Sequence, residues 1–191
     1  MIRVIMGLKG SGKTKQLIDA IHGVLDQANG DVVCIEYGKK LTYDVNYKVR
    51  LVDSEEYGIT NVDMLKGFLS GLHAGNYDIT NVYIDNLYKT IGKDVAAAED
   101  FIVWCARFAE LNNMNITMTI SDDPALASED MKKYLIRAKG GKVPMIDRNG
   151  NVVYYDPQNA GVTVDDKDVA QEAEKLVNAG ASIPNTGKKG K

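Results

Sequence analysis

Residues 7–14 read Gly-Leu-Lys-Gly-Ser-Gly-Lys-Thr, and each residue type in that spacing suits a phosphate group. Gly7, Gly10 and Gly12 allow the backbone to turn its N–H groups inward around anionic oxygens. Lys13 brings a mobile positive charge for the β- and γ-phosphates of a nucleotide, which makes it a binding and a catalytic candidate. Thr14 offers a hydroxyl oxygen to Mg²⁺. Lys9, Ser11 and Lys15 complete the candidate binding set, with Lys9 read as a local contact to phosphate or solvent.

A phosphate site that uses a cation also needs a carboxylate facing it. The run Asn81-Val82-Tyr83-Ile84-Asp85 places one at the end of an apolar strand, so Thr14 and Asp85 are the expected metal ligands. The competing reading is an Asp that caps the following turn. Asn86 comes next, and an amide cannot accept a proton at neutral pH. If the chain activates water, another group serves. Glu36 ends the apolar run Val-Val-Cys-Ile and is the leading candidate, with an ordinary strand-end charge as the alternative. Asp122 and Asp123 are weaker candidates. Ser121 stands at the polar tip of Ile-Thr-Met-Thr-Ile-Ser, where its hydroxyl can meet a γ-phosphate or instead cap the next helix.

The elements that must position these groups follow from the hydrophobic pattern. Residues 2–6 form a short apolar run that reads as a buried strand ending at the glycine-rich loop. Leu17, Ile18, Ile21, Val24 and Leu25 recur at helical spacing over 13–28, a helix whose positive dipole end faces the loop. Strands are expected at 32–35, 49–52, 81–84 and 116–120. Helices are expected from a cap at Thr60 or Asn61 to Gly75, over 95–111, and from Pro124 to Leu135. Alternating strands and helices imply an α/β fold, a three-layer sandwich around a mainly parallel sheet. Residues 1–136 are the expected nucleotide-binding core.

The remainder differs in character. Two apolar runs flank Asp147-Arg148-Asn149-Gly150-Asn151, a hairpin signal, and a polar helix is expected over 165–179. A hairpin-and-helix extension over 137–180 and a disordered basic tail over 181–191 follow.

Composition sets outer limits. Hydrophobic residues at 45% are enough for a packed core, and a net charge of −3 excludes a globally basic nucleic-acid binder. A local excess remains at Lys132, Lys133, Arg137, Lys139 and Lys142: a solvated face, or a contact to phosphate, nucleic acid or a protein partner. Tyr37, Tyr43, Tyr47 and Tyr57 either pack or stack a base. Cys34 and Cys105 lie in apolar runs and read as buried, reduced thiols; without a Cys-x-x-Cys pair no zinc site is expected. No apolar stretch approaches ~18 residues, and no leader pattern opens the chain, so no membrane contact and a cytoplasmic location are expected.

The loop with its continuation Lys15-Gln16-Leu17-Ile18, together with Cys34-Ile35-Glu36 and Lys40-Leu41-Thr42-Tyr43-Asp44, resembles small bacterial P-loop ATP-binding proteins, often labelled twitching-motility-like ATPases. The resemblance spans residues 1 to about 136. It implies the P-loop NTPase fold, ATP or another nucleoside triphosphate with Mg²⁺ as ligands, slow hydrolysis, and a protein partner or a second copy as regulator. The layout is also similar to bacterial-type thymidine kinases, which implies phosphate transfer to a small acceptor. The zinc cysteines of that family are missing here, and Asn86 stands where it carries Glu. A nucleotide-binding switch without useful hydrolysis is the remaining alternative.

Overall fold

The computed structural model describes residues 1–25, 29–136, 143–146 and 152–155. It falls into two units, one holding Met1–Asp122 with Ala127–Leu135 and the other Asp123–Leu126 with Ile136–Lys191. The first unit carries every strand and helix that bears on the glycine-rich loop.

Its centre is a five-stranded, all-parallel sheet in the order β1-β5-β4-β2-β3. The strands are β1 (Ile2–Gly7), β2 (Asp31–Glu36), β3 (Val49–Asp53), β4 (Ile79–Ile84) and β5 (Asn115–Ser121). A parallel sheet is covered on both faces, which is why its strands are nearly continuous apolar runs rather than alternating ones. In β2 all residues after Asp31 are buried, and in β5 all between Asn115 and Ser121 are.

The two faces pack against different helices. Val33, Ile35, Val82, Ile84, Ile116, Met118 and Ile120 enter one core with Leu65 and Leu69 of α2 (Val62–Gly75) and Phe101, Ile102 and Cys105 of α4 (Val95–Leu111). Phe101, Ile102, Cys105 and Ala109 follow the spacing that keeps side chains on one helical face. The opposite face takes α1 (Lys13–Leu25), which buries Leu17 and Ile21, and the Tyr83 hydroxyl donates to the Ala20 carbonyl at 3.2 Å. Asn61 caps α2, its side chain accepting from the Met64 N–H.

Three expectations need correction or completion. Residues 124–135 are not one helix. Pro124–Leu126 form a single 3₁₀ turn, and α5 is only Glu129–Lys132. Ser128 breaks the run: it is extended (φ −64°, ψ 164°), and its hydroxyl accepts from the Met131 N–H, an alternative to a helical bond. The chain then runs beside β1, where Leu135 bridges Val4 and the Val4 N–H reaches the Tyr134 carbonyl at 2.7 Å. Second, a short helix α3 (Leu87–Ile91) follows β4 where none was expected. Third, α1 is described over Lys13–Leu25, and residues 26–28 of the expected helix lie outside the described residues. In the second unit the expected hairpin is present, with β6 (Val143–Ile146) antiparallel to β7 (Val152–Tyr155). The helix over 165–179 and the tail lie outside the described residues.

Candidate functional site

Strand register alone gathers the candidate residues at the carboxyl edge of the sheet. β5 lies between β1 and β4, with Gly7 opposite Ser121 and Ile84 opposite Met118. The loop after β1, the tip of β5 and Asp85 after β4 therefore meet at one edge, where ligands of open α/β sheets bind.

The loop itself is shaped by its glycines. Gly10 (φ +87°) and Gly12 (φ +79°) take left-handed conformations that other residues avoid, and a side chain on Gly7 would stand 2.5 Å from the Ser11 hydroxyl. The loop delivers the chain into α1 at Lys13, and the first N–H groups of a helix have no partner within it. The Lys13 ammonium folds back onto the Leu8 carbonyl at 2.8 Å and is buried. Burial pushes its pKa down, and the nearby Asp85 carboxylate opposes that shift. A buried ammonium resting on a backbone carbonyl is poised to exchange that weak acceptor for an anion.

Two hydroxyls converge on one carboxylate oxygen. Thr14 Oγ1 donates to Asp85 Oδ1 at 3.1 Å, and Thr119 Oγ1 donates to the same oxygen at 3.0 Å. The Asp85 N–H donates to the Ile35 carbonyl at 2.8 Å, which ties the end of β4 to β2. The Asn86 N–H donates to Thr119 Oγ1 at 2.6 Å, with Asn86 itself in the left-handed region (φ 52°). Asn86 places no side-chain cap on α3, and Asp85 spends its carboxylate on the two hydroxyls rather than on the following turn. Thr14 and Asp85 thus bring two hard oxygen donors together 71 residues apart in sequence, the donor chemistry that suits Mg²⁺. Among the described residues no group of three or more His, Cys, Asp or Glu could hold a metal.

A cavity of about 350 Å³ opens at this edge, lined by Lys9, Gly12, Lys13 and Thr14 on the loop side and by Asn86, Thr119 and Ser121 on the strand side. Gly10 lines it too, while Ser11 and Lys15 are exposed in the loop and the first turn of α1. Ser121 faces the cavity, and the turn that follows takes a different cap: Asp123 Oδ1 accepts from the Ala125 N–H at 2.9 Å. Thr119 was missed in the sequence; its only signal was the Thr-x-Thr-x-Ser alternation of β5, legible once β5 is known to lie beside β4.

Other candidates stand elsewhere. Glu36 does not line the cavity. It is 2% exposed, and its Oε2 accepts from the Lys40 N–H at 2.6 Å and the Leu41 N–H at 2.9 Å, pinning the loop after β2. Asp122 pairs with Lys93 at 3.1 Å. Lys132 and Lys133 form ion pairs with Glu129 and Asp130 one turn back; Arg137, Lys139 and Lys142 lie outside the described residues. Tyr57 packs on Phe68 with ring centroids 5.2 Å apart, and Tyr37 donates to Glu55 at 3.2 Å, while Tyr43 and Tyr47 are exposed. No helix among the described residues is long and apolar enough to cross a membrane.

A scan against protein-family models finds no match, and none of the curated proteins compared with the chain matches it.

Proposed function

We propose that this chain is a P-loop protein that binds ATP or a related nucleoside triphosphate with Mg²⁺ and hydrolyses it slowly. The observation that carries the reading is the Thr14–Asp85 hydrogen bond, 3.1 Å long, at the mouth of a glycine-rich loop. A hydroxyl at the start of a helix and a carboxylate at a strand end are the pair that a phosphate-bound Mg²⁺ requires. The strand between them, β5, supports the same reading, because its Thr119 and Ser121 line the same cavity as the loop; in this reading the Ser121 hydroxyl meets the terminal phosphate or the attacking water.

In this reading each residue has a distinct task. Backbone N–H groups of residues 9–14 and the α1 dipole hold the phosphates. Lys13 leaves the Leu8 carbonyl and neutralises charge between the β- and γ-phosphates. Thr14 and Asp85 would hold Mg²⁺, which when bound screens the negative charge of the phosphates. Hydrolysis is slow because Asn86 cannot take a proton from water and Glu36 is occupied by two backbone amides. That occupation also favours a second reading, a nucleotide-dependent switch with no useful turnover.

Phosphate release from ATP by the full chain tests both readings. Slow, Mg²⁺-dependent release that is abolished in Lys13→Ala is the expected result. Tight binding with no release selects the switch. Nucleotide affinity that is unchanged in Lys13→Ala overturns the site altogether.

A further inference from the structure

Thr119 is a polar residue inside an apolar strand. It is 1% exposed, and its neighbours Met118 and Ile120 are fully buried with it in β5. Valine has the same branched shape and suits a strand as well, so packing alone gives no reason for a hydroxyl here. A buried hydroxyl is costly unless its hydrogen-bonding capacity is used, and both halves of it are. The proton goes to Asp85 Oδ1 at 3.0 Å, and a lone pair receives the Asn86 N–H at 2.6 Å. One side chain of β5 therefore holds the carboxylate that follows β4 and the backbone of the next residue.

For Asp85 the consequence is geometric. Thr14 reaches Oδ1 from the first turn of α1, and Thr119 reaches the same oxygen from the neighbouring strand. Two donors on one oxygen limit rotation of the carboxylate and so fix where Oδ2 points. The two donors are not equivalent. In the proposed site Thr14 is the hydroxyl offered to a cation, whereas the single proton of Thr119 is committed to Asp85. For Asn86 the consequence is conformational. Its φ of 52° lies in the left-handed region, which asparagine tolerates better than most residues. The bond to Thr119 holds this turn at its N–H, and the Asn86 carbonyl accepts from the Lys89 N–H at 2.8 Å as α3 begins. Thr119 and Asn86 both line the cavity with Lys13 and Thr14.

We infer that Thr119 is a positioning residue for the cation side of the site: its hydroxyl holds Asp85 in the orientation that Mg²⁺ binding with a nucleotide uses, and it sets the turn that brings Asn86 to the cavity. This rests on the reading of the glycine-rich loop and Asp85 as a nucleotide site and extends it. Thr119 itself touches neither phosphate nor cation; it acts through Asp85. Partners that orient a metal's ligands in this way typically carry about ten- to a hundredfold of the metal affinity.

Calorimetric titration of the full chain with a non-hydrolysable ATP analogue, with and without Mg²⁺, tests the inference. The readout is the ratio of the two affinities, because a general loosening of the fold weakens both alike. The wild type is expected to bind more tightly with Mg²⁺. Thr119→Val should lose most of that gain, about tenfold in affinity with Mg²⁺, and keep the Mg²⁺-free affinity. Thr119→Ser, which retains the hydroxyl, should keep the gain. In an Asp85→Asn background, Thr119→Val should cost nothing further, since its effect runs through that carboxylate. If circular dichroism shows Thr119→Val unfolded, Thr119→Cys, with only a weak donor, carries the same expectation. A gain that survives in Thr119→Val or Thr119→Cys, an equal loss with and without Mg²⁺, or a loss in Thr119→Ser overturns the role of Thr119 and leaves the nucleotide site standing. A wild type that binds no nucleotide, or binds it equally well without Mg²⁺, overturns the underlying reading as well.

Discussion

At the scale of single residues, the site is defined by who holds whose polar atoms. Asp85 receives two hydroxyls, and Glu36 receives two backbone amides. Both carboxylates end apolar strands, yet they do different work. Asp85 faces the glycine-rich loop through Thr14, and Glu36 staples the chain after β2. Glu36→Ala should therefore destabilise the fold by roughly 1–3 kcal/mol, the cost of leaving buried donors unmade, while Glu36→Gln, which keeps an acceptor oxygen, loses less. Urea unfolding measures both. In Glu36→Gln, phosphate release should match the wild type, and its abolition would assign Glu36 to the chemistry instead. The sequence made the glycine-rich loop and Asp85 legible because each is a local pattern with its own physical logic. Thr119 needs the register of β5 against β4 before its hydroxyl acquires a partner.

At the scale of elements, helix ends decide most of what was read correctly or missed. The Asn61 cap was visible as a polar residue ahead of a periodic apolar run, and its Oδ1 accepts from the Met64 N–H at 2.9 Å. Asn61→Ala should lower stability by ~1 kcal/mol without altering nucleotide affinity, because the cap serves α2 alone. A calorimetric melting curve checks the first half and a nucleotide titration the second; an unchanged melting temperature would contradict the assigned cap. α3 was illegible because five residues are too few to show a helical period. The break at Ser128 was missed for a different reason. Pro124 is a valid helix start, but Ser128, four residues on, is itself a cap and starts a new helix.

At the scale of the molecule, the all-parallel sheet explains why chemistry collects on one edge. Every strand of the first unit points its carboxyl end the same way, so every loop that follows a strand is available to one site. The alternation of apolar runs with helical spacing made this architecture readable before the order of strands was known. The order was not readable, because it depends on packing between distant segments. The same packing seals both thiols. Cys34 and Cys105 are fully buried, and burial pushes both thiols well above their ordinary range, with the Asp85 and Glu36 charges adding to the effect at Cys34. Both should stay protonated and unreactive toward an alkylating reagent at mildly alkaline pH, and both should label once the chain is unfolded. Mass spectrometry counts the adducts, and rapid labelling of the native chain would contradict the packing described for β2 and α4.

We propose that the glycine-rich loop and Asp85 form one nucleotide site that works with Mg²⁺. It is tested most directly by calorimetric titration of the full chain with ATP, with and without Mg²⁺, in the wild type and in Lys13→Ala and Asp85→Asn. The expected results are Mg²⁺-dependent binding in the wild type, loss of affinity in Lys13→Ala, and retained binding in Asp85→Asn with the Mg²⁺ dependence weakened. Binding that is absent in the wild type, or indifferent to both substitutions, would contradict it.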